Sequence, residues 1–239
     1  MRIIFFLLGT LLFACQSTES QTQKPEEIVS ETGSATMDTP TELPKIIVFG
    51  GNLLVPHTAI EARMQEVLPN SLAANGFERE IVDWGRKDLL LGVPDERLAP
   101  MLDSIIKQQP EWVILGFGMD EVWREDIAVQ AFAVDLQGML LALQNANIKT
   151  LILTPNNPAP EAPKVIWTRG EEISRVVREV AIENFSTVAD YWNFCEIYAT
   201  QTGNRPEDLL LDERYPNEAA HQFISQEITA LLSFKIGTE

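Results

Sequence analysis

After residue 44 the chain carries five short apolar runs, at Ile46–Phe49, Ile81–Asp83, Trp112–Leu115, Leu151–Leu153 and Thr187–Ala189. Each run is continuous rather than alternating, as parallel strands covered on both faces require. Between them, apolar positions recur at helical spacing. Thr58–Asn75 carries Ile60, Met64, Val67, Leu68 and Leu72, and meets a stop at Asn75-Gly76. Pro94-Asp95-Glu96 opens a second helix with Leu98, Met101, Leu102, Ile105 and Ile106 along one side. Ala128–Asn147, Glu171–Asn184 and Asn217–Phe234 complete the series. Strands that are each followed by a helix predict an α/β domain over residues 45–239: a three-layer α/β/α sandwich around a five-stranded parallel sheet. Ligand sites in such sheets lie beyond the carboxyl ends of the strands. The loops after Phe49, Asp83, Leu115, Leu153 and Asp190, and the segment before the last helix, are therefore where chemistry is expected.

The pattern before residue 45 is different. Arg2 precedes an almost wholly apolar stretch, Ile3–Phe13, far shorter than the ~20 residues of a membrane-spanning helix. Leu12-Phe13-Ala14-Cys15 then resembles the lipobox of bacterial lipoproteins, which implies a signal peptide over residues 1–15 and lipid on Cys15. An ordinary secretory signal with an incidental cysteine is the alternative. Residues 16–44 are rich in Ser, Thr, Glu, Gln and Pro, and bury too little to offset their ordering entropy. They read as a disordered tether reaching roughly 30 Å. The expected place is thus a bacterial envelope, periplasmic or surface-facing, with a membrane partner reached through the lipid. The net charge of −17 excludes a nucleic-acid grip and disfavours adhesion to anionic head groups. With Cys15 lipidated, Cys195 is left without a partner, and its apolar neighbours mark it as a buried small hydrophobe.

Four blocks carry a resemblance. Phe49-Gly50-Gly51-Asn52-Leu53 follows the first strand, and Val82-Asp83-Trp84-Gly85-Arg86-Lys87-Asp88 the second. Trp112–Gly116 leads into Phe117-Gly118-Met119-Asp120-Glu121, and Asp212-Glu213-Arg214-Tyr215-Pro216-Asn217 precedes the last helix. Together they make the domain resemble the SGNH, or GDSL, hydrolases, a family of esterases and lipases with a flavodoxin-like sheet. The resemblance implies a serine nucleophile in the first block, where Asn52 stands with Gly51 at the aspartate position. It implies a glycine amide near Asp88 for the oxyanion hole, an asparagine donor at Asp120, and a histidine base at Tyr215 oriented by Asp212.

Each substitution removes a function. An amide cannot form an acyl intermediate. An ionised aspartate accepts hydrogen bonds but cannot donate them to an oxyanion. A phenol, with an ordinary pKa of about 10, is a poor base where imidazole at about 6.5 is well placed. Asp212 alone matches. His57 and His221 are the only histidines available to replace the base; each is expected to be structural or to serve as a solvent-facing cap. Asp88, Asp120, Glu121 and Asp212 are expected to gather at one end of the sheet, with Arg86, Lys87, Arg124 and Arg214 available to neutralise them. Trp84, Trp123 and Trp167 pack at the core or rim, or else form a stacking platform for a sugar. No cofactor is implied. Three functions follow: a degenerate binding or accessory module for a small-molecule or carbohydrate ligand, an active envelope hydrolase that cuts acetyl or acyl esters or glycosidic bonds with a rearranged acidic site, or a purely structural lipoprotein whose cleft is closed.

Overall fold

A computed structural model of the chain describes residues 42–51 and 63–236. Cys15, Asn52 and His57, the signal segment and nearly all of the tether lie outside the described residues.

The sheet contains β1 (Lys45–Gly50), β2 (Glu80–Gly85), β3 (Trp112–Gly116), β4 (Lys149–Leu153) and β5 (Thr187–Ala189). All pairings are parallel and the order is β2-β1-β3-β4-β5. The seven α-helices among the described residues are α1 (Met64–Ala74), α2 (Leu98–Lys107), α3 (Met119–Val122), α4 (Val129–Asn145), α5 (Lys164–Glu183), α6 (Tyr191–Thr202) and α7 (Glu218–Ile236). None is long and apolar enough to cross a membrane.

The pleat of β1 divides the core. Ile47 and Phe49 join a cluster with residues of α2, α4 and α5, while Ile46 and Val48 join another with residues of α1, α6 and α7. Those four side chains are fully buried, and each such burial stabilises by about 1.5–3 kcal/mol. β3 is buried along its whole length, as its unbroken apolar run predicts, whereas the edge strand β2 stays partly exposed. The Asn75-Gly76 stop is realised by Gly76 N–H donating to Ala73 O and Phe77 N–H donating to Leu72 O, both at 3.0 Å.

Two elements differ from the sequence expectation. α5 begins at Lys164 rather than Glu171, and α6 follows β5 where a loop was expected. Asp190 starts α6 by accepting from Asn193 N–H. Its carboxylate also pairs with Arg178 at 2.8 Å, which ties α6 to α5.

Candidate functional site

The parallel order places the carboxyl ends of β2, β1 and β3 side by side. Lys87, Asp88 and Leu90 from the loop after β2, Asp120, Trp123 and Arg124 from α3 and its end, and Arg214 and Tyr215 from the segment before α7 line one cleft of about 390 Å³. That volume lies within the roughly 300–1,000 Å³ typical of small-ligand sites.

Close packing brings Asp120 to the end of β1. A Cβ placed on Gly51 would stand 3.3 Å from Asp120 Oδ2 and 2.8 Å from Leu89 O, so only glycine fits there. Gly51 N–H donates to Gly116 O, and Arg86 N–H donates to Gly50 O, which fixes the turn between its two neighbours. Asp120 is 7% exposed. It is carried on the single turn of α3, which opens at Gly118 with φ +105°, a conformation that favours glycine. Asp88 also has a positive φ, +58°. Aspartate tolerates that region at some strain, and glycine enters it freely. The backbone at Asp88 therefore keeps the shape that a glycine would give it.

Glu121 does not join the cleft. It is buried behind it, where Oε1 accepts from Leu91 N–H at 2.7 Å and Oε2 accepts from Gly118 N–H at 2.9 Å. Arg169 donates to the Glu121 carbonyl at 2.8 Å. Burial pushes the Glu121 carboxyl up to about 7, against the pull of these amide donors, and the Asp120 charge adds to the rise. Asp212 is not among the cleft-lining residues either. It is exposed, and its Oδ1 accepts from Arg214 N–H and Tyr215 N–H, each at 2.8 Å. The pair is not carried on a helical turn: residues 211–215 form a tight loop closed by Leu211 N–H donating to Tyr215 O and by the Leu210–Pro216 bridge. Asp212 acts on this loop's backbone. The expected gathering thus reduces to Asp88 and Asp120. Among the described residues, no group of three or more His, Cys, Asp or Glu side chains is placed to hold a metal ion.

Cations lie near both carboxylates: the Arg124 charge reaches Asp120, and Arg97 donates to Asp88 O at 2.9 Å. Arg124 pairs with Asp126 at 2.7 Å, and Arg86 donates to Gly85 O. The Arg214 guanidinium lies over the Trp123 ring at 4.6 Å and near the Tyr215 ring at 5.8 Å. Of the tryptophans, only Trp123 lines the cleft. Trp84 packs on the core, and Trp167 meets Trp192 edge-to-face and donates to Ala159 O. The loop after β4 is buried support: Asn156 Nδ2 donates to Arg214 O at 3.0 Å, and Ala159 N–H donates to Glu213 O.

His221 is buried on α7, and burial, then Arg63, push its pKa down to about 4. Its Nδ1 has no partner. It is buried and uncharged near neutral pH, and it is not among the cleft-lining residues. Cys195 is buried beside Tyr191, and its thiol is pushed up to about 12 by burial, which removes it as a nucleophile. From the sequence Arg214 is only a counter-charge. Its seat on Trp123 had no local signal.

Comparison with known proteins follows the fold. No protein-family model matches the sequence, and no curated protein does. Solved structures do match. A lipase/acylhydrolase from Enterococcus faecalis is 19% identical, with a TM-score of 0.65 over 81% of this chain and 97% of that one. The acetyl xylan esterase AlAXEase is 19% identical, with a TM-score of 0.66 over 79% of this chain and 99% of that one. An acetylxylan esterase from Geobacillus stearothermophilus is 16% identical, with a TM-score of 0.65 over 79% and 94%. The domain thus has the three-layer α/β/α fold of these structures.

Proposed function

We propose that this chain is a catalytically degenerate relative of the SGNH esterases. It binds a saccharide or small molecule in the cleft, and lipid on Cys15 holds it at a bacterial envelope. One observation carries the reading. The buried Asp120 carboxylate sits against the Gly51 turn, at the position where the esterase resemblance needs an oxyanion donor. Negative charge there opposes a developing oxyanion, whereas a donor would stabilise it. Asn52 in place of serine and Tyr215 in place of histidine point the same way. The cleft nevertheless retains the size and polar lining of a binding site.

Active hydrolysis is the competing reading, favoured by the likeness to acetylxylan esterases. Incubating the full-length protein in detergent with p-nitrophenyl acetate and with acetylated xylo-oligosaccharides decides between them. The binding reading expects release no faster than with the Asp120→Ala variant. Robust turnover by the unaltered protein, lost on substitution at the cleft or at either histidine, overturns it.

A further inference from the structure

We infer that the cleft receives a carboxylate-bearing saccharide, a uronate, and that Arg214 is the residue that grips the carboxylate. This deepens the binding reading above and rests on it. The geometry is particular to Arg214. Its guanidinium lies against Trp123 and Tyr215 and makes no hydrogen bond or ion pair with any described residue. It is half-buried in the wall of the cleft. Stacking occupies the face of the planar group and leaves its N–H edge for a ligand, in the fork that matches a carboxylate. The backbone beneath is held on both sides: Asp212 accepts from Arg214 N–H, and Asn156 donates to Arg214 O. An arginine immobilised in this way loses little further entropy when it binds.

The neighbouring charges narrow the ligand. Lys87 and Arg214 line the cleft together with Asp88 and Asp120, while Arg124 is already paired with Asp126. The single guanidinium stacked on Trp123 suits one carboxylate, and the carboxylates of Asp88 and Asp120 in the same cleft oppose a dianionic phosphate more strongly than a monoanion. The carboxylates also accept hydrogen bonds, which ring hydroxyls beside a uronate carboxylate can donate. One group of the ligand thus seeks Arg214, while its hydroxyls seek Asp88 and Asp120.

The test is calorimetric titration of the full-length protein in detergent with three probes: a galacturonate trimer, its methyl ester, and a neutral glucose trimer. The galacturonate trimer is expected to bind at least about tenfold more tightly than either uncharged probe, as loss of a charged hydrogen bond implies. Arg214→Gln should abolish the preference and Arg214→Lys should restore part of it, with the thermal melts of both variants showing that they are folded. Arg175→Gln, a surface change on α5, should leave it intact. Equal binding of all three probes, unaffected by Arg214→Gln, overturns the carboxylate assignment but leaves the binding reading standing. Absence of binding by any probe, together with ester turnover, overturns both. Tighter binding of inorganic phosphate or of a free peptide carboxylate than of the uronate overturns the saccharide assignment.

Discussion

At the scale of single residues, the losses in the cleft act as a unit. Asn52→Ser alone is expected to give no measurable esterase activity, because Tyr215 is a poor acceptor for the hydroxyl proton and the Asp120 carboxylate still opposes the oxyanion. One missing oxyanion donor costs about 10²–10³ in turnover, and the missing base adds a further loss. The triple change Asn52→Ser, Asp120→Asn, Tyr215→His should therefore exceed the sum of the single changes in p-nitrophenyl acetate release. Equal, additive gains from each single variant would count against this coupling. Two buried groups also govern stability against pH, with opposite signs. Glu121 has its carboxyl raised to about 7 from the ordinary 4.5, so the folded chain holds its proton where the unfolded chain releases it. Its stabilising contribution is full below 4.5 and is lost as pH rises through 7. His221 is depressed to about 4 from 6.5, so its contribution is full above 6.5 and is lost as pH falls through 4. Between about 4.5 and 6.5 the two slopes oppose each other. Glu121→Gln removes one of them, and its urea midpoint should rise with pH across that window more steeply than that of the unaltered protein. Parallel curves for the two proteins would refute the assignment.

At the scale of elements, most of the sheet could be read in advance because continuous apolar runs leave few alternatives. The helices were less legible. Gly170 reads as a break in a helical pattern, yet it lies inside α5. The reason is across the interface: a Cβ there would stand 2.5 Å from Trp192 Cζ3 and 2.6 Å from Cη2. Alanine in a helix interior ordinarily gains about 0.5–1 kcal/mol over glycine. Here Gly170→Ala should instead destabilise by about 1–3 kcal/mol, the usual cost of overpacking. A urea midpoint that moves upward would show that Trp192 gives way. The missed α6 has a related cause. Its aromatic run follows β5 directly, and only the contact of Trp192 with α5 and the Asp190 cap reveal it as a helix. The site divides the same way. Framing glycines and block order were visible in local sequence. The bond of Glu121 to Leu91 and the seat of Arg214 on Trp123 depend on segments far apart in the chain.

At the scale of the whole molecule, the domain from residue 42 onward folds around its own core, and among its described residues no helix is long and apolar enough to cross a membrane. The proposed attachment is through Cys15. Radiolabelled palmitate fed to a bacterial host should appear in the full-length protein and disappear in Cys15→Ala; label that persists in the variant would place the anchor elsewhere. The direction of β1 gives such an anchor a mechanical meaning. The chain enters the domain at Lys45, the amino end of β1, while the cleft lies beyond the carboxyl ends of the strands. A pull applied at residue 42 and resisted by a polymer held in the cleft runs lengthwise along β1. It loads the ladders to β2 and β3 in shear at the same moment. Bonds loaded in shear must fail together, whereas bonds peeled from one end fail in turn. Under sustained tension, survival is set by the rate of unfolding rather than by equilibrium stability. A strand flanked on both sides and drawn along its own axis is the arrangement that slows this rupture.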